Sequence, residues 1–178
     1  METIDLEGIC CQVVRRHGRR VRLVFHDGSL RVVLPRNIDP QPIIDRHRKW
    51  ILEKYAWFRR QRVLAEQLEV VRRTNEEFVG LVREQCRRSG EILGVRPLGI
   101  GFRRMKSKWG SCSAGGKISL NTCLQALPDE LVAYVVFHEL AHLRERNHGP
   151  GFKSLIRSAF PHFRDLDRQL KLYSLKIL

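Results

Sequence analysis

The chain has 178 residues, of which 43% are apolar, and its formal net charge is +14. This length and apolar content suffice for a buried core, so they exclude a disordered chain and indicate one domain, or one domain with a small appendage. The excess of lysine and arginine would attract a nucleic acid, a nucleotide or an acidic protein surface, although a solvated basic face explains the net charge equally well.

The cysteines and the apolar segments indicate the environment of the protein. Five cysteines, an odd number without a C-x-x-C pair, argue against a disulfide framework and favour a reducing compartment. The first residues, METIDLEG, are acidic and lack the apolar segment of a secretory signal. The longest apolar run, LVAYVVF at 131–137, is too short to cross a bilayer. We therefore expect a soluble, cytoplasmic protein without a membrane partner.

Residues 1–39 have the alternating pattern of β-strands, and residues 40–92 have helical periodicity. The first segment contains CCQVVRR, RVRLVFH and SLRVVLP, separated by turn signals at His17-Gly18 and Asp27-Gly28, and predicts a β-meander subdomain. After Pro42, apolar residues at helical spacing predict one long helix or two as far as about Val71. A further helix is expected to start at Thr74 or Asn75 and to end near Ser89-Gly90.

The third segment, residues 93–178, is predicted to contain a small antiparallel sheet and three helices, giving an α+β fold. The predicted elements are a strand at 98–105, a loop with a hairpin turn at Gly115-Gly116, a return strand ISLN at 118–121, a helix from Pro128 to near Asn147, and helices at 152–159 and 163–175.

The segment HELAHLRERNH, residues 138–148, places polar residues in an otherwise apolar helix. His138 and His142 are four residues apart, so both point to the same side of the helix. Burying imidazoles and an unpaired carboxylate costs several kcal/mol unless something pairs with them, and a divalent cation would supply that pairing. The pattern H-E-x-x-H is typical of zinc hydrolases, in which the glutamate is the general base. We therefore predict one Zn²⁺ per chain on His138, His142 and His148, with Glu139 as the catalytic base.

Two longer stretches resemble a known family. The stretch 106–152 contains, in order, W-G-S-C, I-x-L-N, P-x-E-L, H-E-L-x-H-L and N-H-x-x-x-F, and it resembles the YgjP-like metallopeptidase domain. The stretch from RRHGRRVRL to RKWILEK also resembles the opening strands and W-I-x-K helix of that family.

The resemblance implies a compact zincin-like fold related to the SprT-like peptidases, with an active-site helix that carries H-E-x-x-H. It also implies zinc on His138, His142 and His148, and Glu139 as catalytic base. Gly149 and Lys153 stand where the family pattern leads us to expect serine and tryptophan, and the region 54–92 looks shorter than in longer members. These departures concern the shape of the substrate cleft and not the metal site.

Zincins present the edge of a strand beside the active-site helix to an extended peptide, and ISLN at 118–121 is the candidate. An equally good alternative is that ISLN only covers the helix. Ser107, Lys108 and Trp109 precede this hairpin and could form a cleft wall or an oxyanion contact, whereas packing is the favoured role for Trp109.

Three functions remain open from the sequence. The first is a zinc metallopeptidase that cleaves peptides or proteins. The second is a metal-dependent nucleoside triphosphate hydrolase, favoured by the basic residues of 103–108 but weakened because no G-x-x-x-x-G-K-[ST] loop is present. The third is a nucleic-acid-associated protease, in which arginines of 15–22 and the first helix bind phosphates, although no known nucleic-acid module is recognisable.

Overall fold

A computed structural model describes residues 2–26 and 28–178 of the chain. The described residues form seven strands and six α-helices, which confirms the α+β class. They divide into two compact units between Val63 and Leu64. Among the helices of the described ranges, none is long and apolar enough to span a membrane.

The first unit consists of a four-stranded sheet and two helices. Its elements are β1 (Glu2–Leu6), β2 (Ile9–Arg16), β3 (Arg22–His26), β4 (Ser29–Pro35), α1 (Gln41–Arg46) and α2 (Arg48–Glu66). The helical periodicity that follows Pro42 therefore corresponds to two helices, which meet at His47. The turn predicted at Asp27-Gly28 includes Asp27, which lies outside the described residues.

The strand order of this sheet is β1-β2-β4-β3, so the predicted β-meander is wrong. β2 pairs in parallel with β4, while β3 pairs antiparallel with β4 at the sheet edge. Burial explains this order, because β2 and β4 each place three alternate residues in the core, whereas Leu23 and Phe25 of β3 are only half-buried. The strands with the most buried apolar surface occupy the centre of the sheet.

The helices α1 and α2 belong to the first unit because they complete its core. Ile44 of α1 and Ile51 of α2 are fully buried against the inward residues of β2 and β4. The boundary at Val63 therefore falls inside the segment 40–92 that the sequence predicted as one helical region. Helical periodicity alone does not reveal which core a helix joins.

The second unit contains a three-stranded sheet and four helices. Its elements are α3 (Asn75–Leu93), β5 (Gly99–Arg103), β6 (Gly110–Cys112), β7 (Lys117–Asn121), a short 3-10 helix (Thr122–Ala126), α4 (Asp129–Ala141), α5 (Pro150–Ala159) and α6 (Phe163–Ile177). α3 starts as predicted, with a capping box between Thr74 and Glu77. It ends later than predicted, at Leu93, where Gly94 has a φ of 65°.

β7, which contains ISLN, is the central strand of the order β5-β7-β6. It pairs antiparallel with β6 through the predicted hairpin turn, and it pairs in parallel with β5. The predicted antiparallel sheet is therefore mixed, and β6 was missed as a strand. Both edges of β7 are occupied, and Ile118, Leu120 and Asn121 are almost fully buried, as expected for a central strand.

The central helix α4 ends at Ala141 and not near Asn147 as predicted. Leu143, two residues beyond this end, is the last apolar residue before the loop, and the following residues 144–147 are all exposed, so continued helix would bury no further apolar surface. The N–H groups of Leu143 and Arg144 bond three residues back, to Leu140 and Ala141, which tightens the turn.

Asn121, at the end of β7, fixes the segment that leads into β6. Its side chain is fully buried, and its amide group donates hydrogen bonds of 2.8 Å each to the carbonyl oxygens of Met105 and Lys108. Its Oδ1 atom accepts hydrogen bonds from the N–H groups of Met105 and Cys123, at 3.3 and 3.1 Å. The segment 105–109 therefore depends on a single side chain for three backbone contacts.

Replacing this side chain should destabilise the fold. Asn121→Leu keeps the volume but leaves buried backbone groups without partners, each at a cost of about 1–3 kcal/mol. We expect the free energy of unfolding in urea to fall by about 3 kcal/mol or more, whereas Ser119→Ala on the same strand should change it by less than about 1 kcal/mol. Asn121→Asp retains the acceptor and should give an intermediate loss. Equal stability of Asn121→Leu and the unmodified protein would contradict this role.

Candidate functional site

α4 turns three side chains toward one cleft. Tyr134, His138 and His142 are spaced four residues apart, so they lie along one side of the helix, and all three line the cleft. Nearly all other residues of α4 are buried and apolar, which holds the helix in the core of the second unit. The position of the two histidines is therefore fixed by packing on the other sides of their helix.

The loop after α4 brings the third histidine to the first two. His148 lies just before α5, and its Nε2 atom is 3.1 Å from Nε2 of His138. One ring nitrogen from each of His138, His142 and His148 lies within 4.8 Å of the others. The structure therefore brings together the three histidines named from the sequence.

Two contacts hold the rings in place. The ring of Phe152, from α5, lies against all three imidazoles, with centroids 4.9, 4.6 and 4.6 Å from those of His138, His142 and His148. Nδ1 of His142 lies 3.1 Å from the carbonyl oxygen of Glu145. If Nδ1 donates to this carbonyl, Nε2 of His142 is the nitrogen left with a free lone pair. Metal-binding histidines usually donate a hydrogen bond from their second ring nitrogen in this way.

The electrostatic environment favours the neutral forms of His138 and His148. Burial, together with the neighbouring His142 and His148, lowers the pKa of His138 to about 4. The pKa of His148 is also lowered, by burial and by His142 and Lys153, although Asp167 acts in the opposite direction. Neutral imidazole is the form that binds metal ions.

The three residues fit a zinc ion. Imidazole nitrogen is a preferred zinc ligand, and two nitrogens at about 2.0–2.1 Å from one tetrahedral ion lie about 3.4 Å apart. The separation of 3.1 Å between the nitrogens of His138 and His148 is close to this value. This cluster could therefore hold a divalent cation through three protein ligands.

Glu139 is a buried carboxylate beside the histidines. Only 7% of the residue is exposed, and burial raises its pKa to about 7, while the ammonium group of Lys108 acts to lower it. β6 approaches Glu139 so closely at Gly110 that a Cβ atom there would lie 2.7 Å from both Cγ and Oε1 of the glutamate. Gly110 therefore leaves the space that this carboxylate occupies.

The cleft has a volume of about 980 Å³. Its walls are β6 with the following turn, the exposed side of α4 and part of α6, and the histidines and Glu139 lie on it. Lys108 and Arg146 are cations in its lining, and Asp167 of α6 is a carboxylate. The hydroxyl of Tyr134 donates a 2.7 Å hydrogen bond to Asp167.

β6 is the sheet edge on this cleft. The N–H of Asn121 donates to the carbonyl oxygen of Trp109, and the N–H of Ser113 donates to the carbonyl oxygen of Lys117. The backbone N–H and C=O groups of the odd-numbered residues in this segment therefore point toward β7. By the alternation of an antiparallel ladder, the backbone groups of Gly110 and Cys112 point away from β7. The edge that the sequence assigned to ISLN therefore belongs to β6.

Several residues of the site were missed from the sequence. Phe152 and Glu145 had no assigned role because their contacts depend on a loop, and the need for glycine at Gly110 depends on an approach between distant segments. Asp167 is far from the motif along the chain. Packing was correctly favoured for Trp109, which is 8% exposed and donates from Nε1 to the carbonyl of Leu170.

Comparison with known proteins shows what the chain is similar to. Two solved structures resemble part of it, each at 25% identity: the metallopeptidase zymogen of Pyrococcus abyssi abylysin, and that of Methanocaldococcus jannaschii jannalysin. The first has a TM-score of 0.43 and covers 51% of this chain and 87% of its own; the second has a TM-score of 0.46 and covers 54% and 97%. No curated protein matches the chain.

A family match covers most of the second unit. Residues 70–173, more than half of the chain, match the family described as YgjP-like, metallopeptidase domain. This range contains α3, the three-stranded sheet, α4 with the loop after it, α5 and most of α6. The chain therefore belongs to the YgjP-like metallopeptidase domain family, as the motifs of its sequence predicted.

Proposed function

We propose that this protein is a zinc-dependent peptidase, with His138, His142 and His148 as metal ligands and Glu139 as general base. The observation that carries the proposal is that a buried carboxylate and three clustered imidazoles share one cleft. A bound zinc ion would supply a Lewis acid for the substrate carbonyl and would favour deprotonation of a water molecule near neutral pH.

Glu139 is suited to move a proton between water and the leaving amine. Its pKa of about 7 makes it a stronger base than an exposed glutamate, yet it can still return the proton at neutral pH. Gly110 lies against it on one side, so the carboxylate is confined by backbone. Lys108, whose charge favours the ionised form of Glu139, also lines the cleft and can contact a developing oxyanion there.

The free edge of β6 supports a peptide as substrate. Backbone groups of Gly110 and Cys112 can form a ladder with an extended chain laid along the cleft. Such pairing depends on the backbone of the substrate, so it gives affinity with little dependence on its sequence. A nucleoside triphosphate is the second candidate, favoured by Lys108 and Arg146 in the lining, which could bind phosphate oxygens.

Removing the base should abolish turnover but not metal binding. We expect Glu139→Gln to lower kcat on an unfolded protein substrate by about 10²–10⁴-fold, because general-base catalysis contributes that much, while zinc content measured by mass spectrometry stays unchanged. Glu130→Gln, an exposed position on the same helix, is the matched control. Parallel assays of nucleoside triphosphate hydrolysis distinguish the second candidate. Full peptidase turnover by Glu139→Gln would exclude the proposed mechanism.

Metal content tests the ligand set independently of activity. We expect about one zinc per purified chain. Removal of a residue that only hydrogen-bonds a metal ligand weakens metal binding by roughly 10–100-fold, and His148→Ala, which removes a ligand itself, should weaken zinc binding by more than this. His162→Ala removes an exposed histidine that contacts Glu130 and should leave zinc binding unchanged. The ligand assignment would be wrong if both variants bound zinc as tightly as the unmodified protein.

The close approach at Gly110 gives a third test. A methyl group there would displace Glu139, and a shift of about 1 Å in a catalytic group can cost about 10²-fold in rate. Gly110→Ala should therefore lower kcat/KM by at least about tenfold with zinc retained. Gly80→Ala is the matched control, since Gly80 lies on α3, outside the lining of the cleft, and a Cβ there meets nothing within 4 Å. Unchanged kcat/KM in Gly110→Ala would show that the position of Glu139 is unimportant.

A further inference from the structure

Two of the three tryptophans lie on the surface of the first unit. Trp109 is 8% exposed in the second unit, whereas Trp50 is 39% and Trp57 is 53% exposed, both on α2. Large aromatic side chains are usually buried, and an exposed pair on one helix indicates a binding surface more strongly than one isolated residue does.

The two side chains point in the same outward direction. Trp50 and Trp57 are seven residues apart, which is close to two turns of helix. Ile51, about a quarter turn round the helix from Trp50, is fully buried and packs α2 against the sheet. The ring of Trp50 contacts that of Phe25 from β3 edge-on, at 5.8 Å between centroids, so its orientation is supported.

Cations surround these rings. Lys49 and Arg60 flank the line of the two tryptophans on one side, and Lys54 flanks it on the other, with its Nζ 5.8 Å from the centroid of the Trp57 ring. Within the described ranges, none of these three cations forms an ion pair, although the acidic Glu53 lies one turn from Lys49. We refer to Lys49, Trp50, Lys54, Trp57 and Arg60 as the tryptophan face.

Another helix of the same protein uses its arginines differently. On α3, Arg87 bonds to Glu84 and Glu91, and Arg88 bonds to Glu84. The first unit as a whole, residues 1–63, has fourteen lysines and arginines against seven aspartates and glutamates. Because the cations of the tryptophan face have no carboxylate partner among the residues that the structure describes, their charge is available to an anionic ligand.

We propose that the tryptophan face binds single-stranded nucleic acid, with bases stacked on Trp50 and Trp57 and phosphates on Lys49, Lys54 and Arg60. Indole rings stack on any unpaired base, and cations beside them neutralise the backbone. A duplex would not offer its base faces, and a lipid surface would need a broad apolar face, whereas the apolar side of α2 is packed on the sheet. Since neither contact involves the sugar, DNA and RNA strands should bind similarly.

Binding of the full chain to labelled oligothymidylate and oligouridylate of about 20 nucleotides, measured by fluorescence anisotropy, tests the proposal. We expect affinity for both to fall with salt between about 50 and 200 mM, with a log–log slope of about −2 for three phosphate contacts. Trp57→Ala should weaken binding at least about fivefold, while Trp57→Phe, which keeps an aromatic ring, should stay within about twofold.

Matched charge variants distinguish binding at the tryptophan face from nonspecific attraction by the net positive charge of the chain. Arg60→Gln should reduce the magnitude of the slope by about 0.7, whereas Arg157→Gln, an exposed arginine on α5, should leave it unchanged. No binding at low salt, equal affinity of Trp57→Ala, or equal affinity for a duplex would overturn the proposal, as would binding to anionic phosphatidylglycerol vesicles in place of the strands. These measurements need no peptidase activity, so the proposed function can fail while this inference holds.

Discussion

The desolvation of polar groups on α4 is the constraint on which the site depends. A helix that packs apolar residues on its other sides also buries His138 and Glu139. Burial disfavours the charged form of each side chain, so it lowers the pKa of His138 and raises the pKa of Glu139. The imidazole therefore stays neutral and the carboxylate becomes more basic. Both changes favour the proposed chemistry, because a neutral imidazole can bind a cation and a more basic carboxylate can accept a proton from water.

The rest of the second unit brings other segments to this helix. The early end of α4 at Ala141 allows the chain to turn and return His148, and α5 then supplies Phe152 against all three rings. From the other side, the hairpin of β6 and β7 places Gly110 against Glu139. The site thus needs the order sheet, helix, turn, helix, which is also the order of the matched family range.

The sequence predicted the local features of this site and not the long-range ones. The H-E-x-x-H spacing placed His138 and His142 together because helical geometry alone determines that distance. Strand pairing was less predictable, since alternation identifies the buried face of β2 or β4 but not the neighbour of each strand. The short β6 was missed because GSC, with its glycine and serine, has no strand-like alternation, and its role as the sheet edge depends on the position of β5.

The net charge illustrates how little composition says without structure. The same residue types form ion pairs on α3 and, among the described residues, have no ion-pair partner around Trp57 on α2, so a formal charge of +14 combines solvated pairs with cations open to a ligand. Pairing partly cancels the field of α3, since Arg87 and Arg88 each lie within bonding distance of a glutamate. Unpaired cations beside exposed indoles combine charge with a stacking surface. Their position on α2, and not their number, is what favours an anionic partner with aromatic bases.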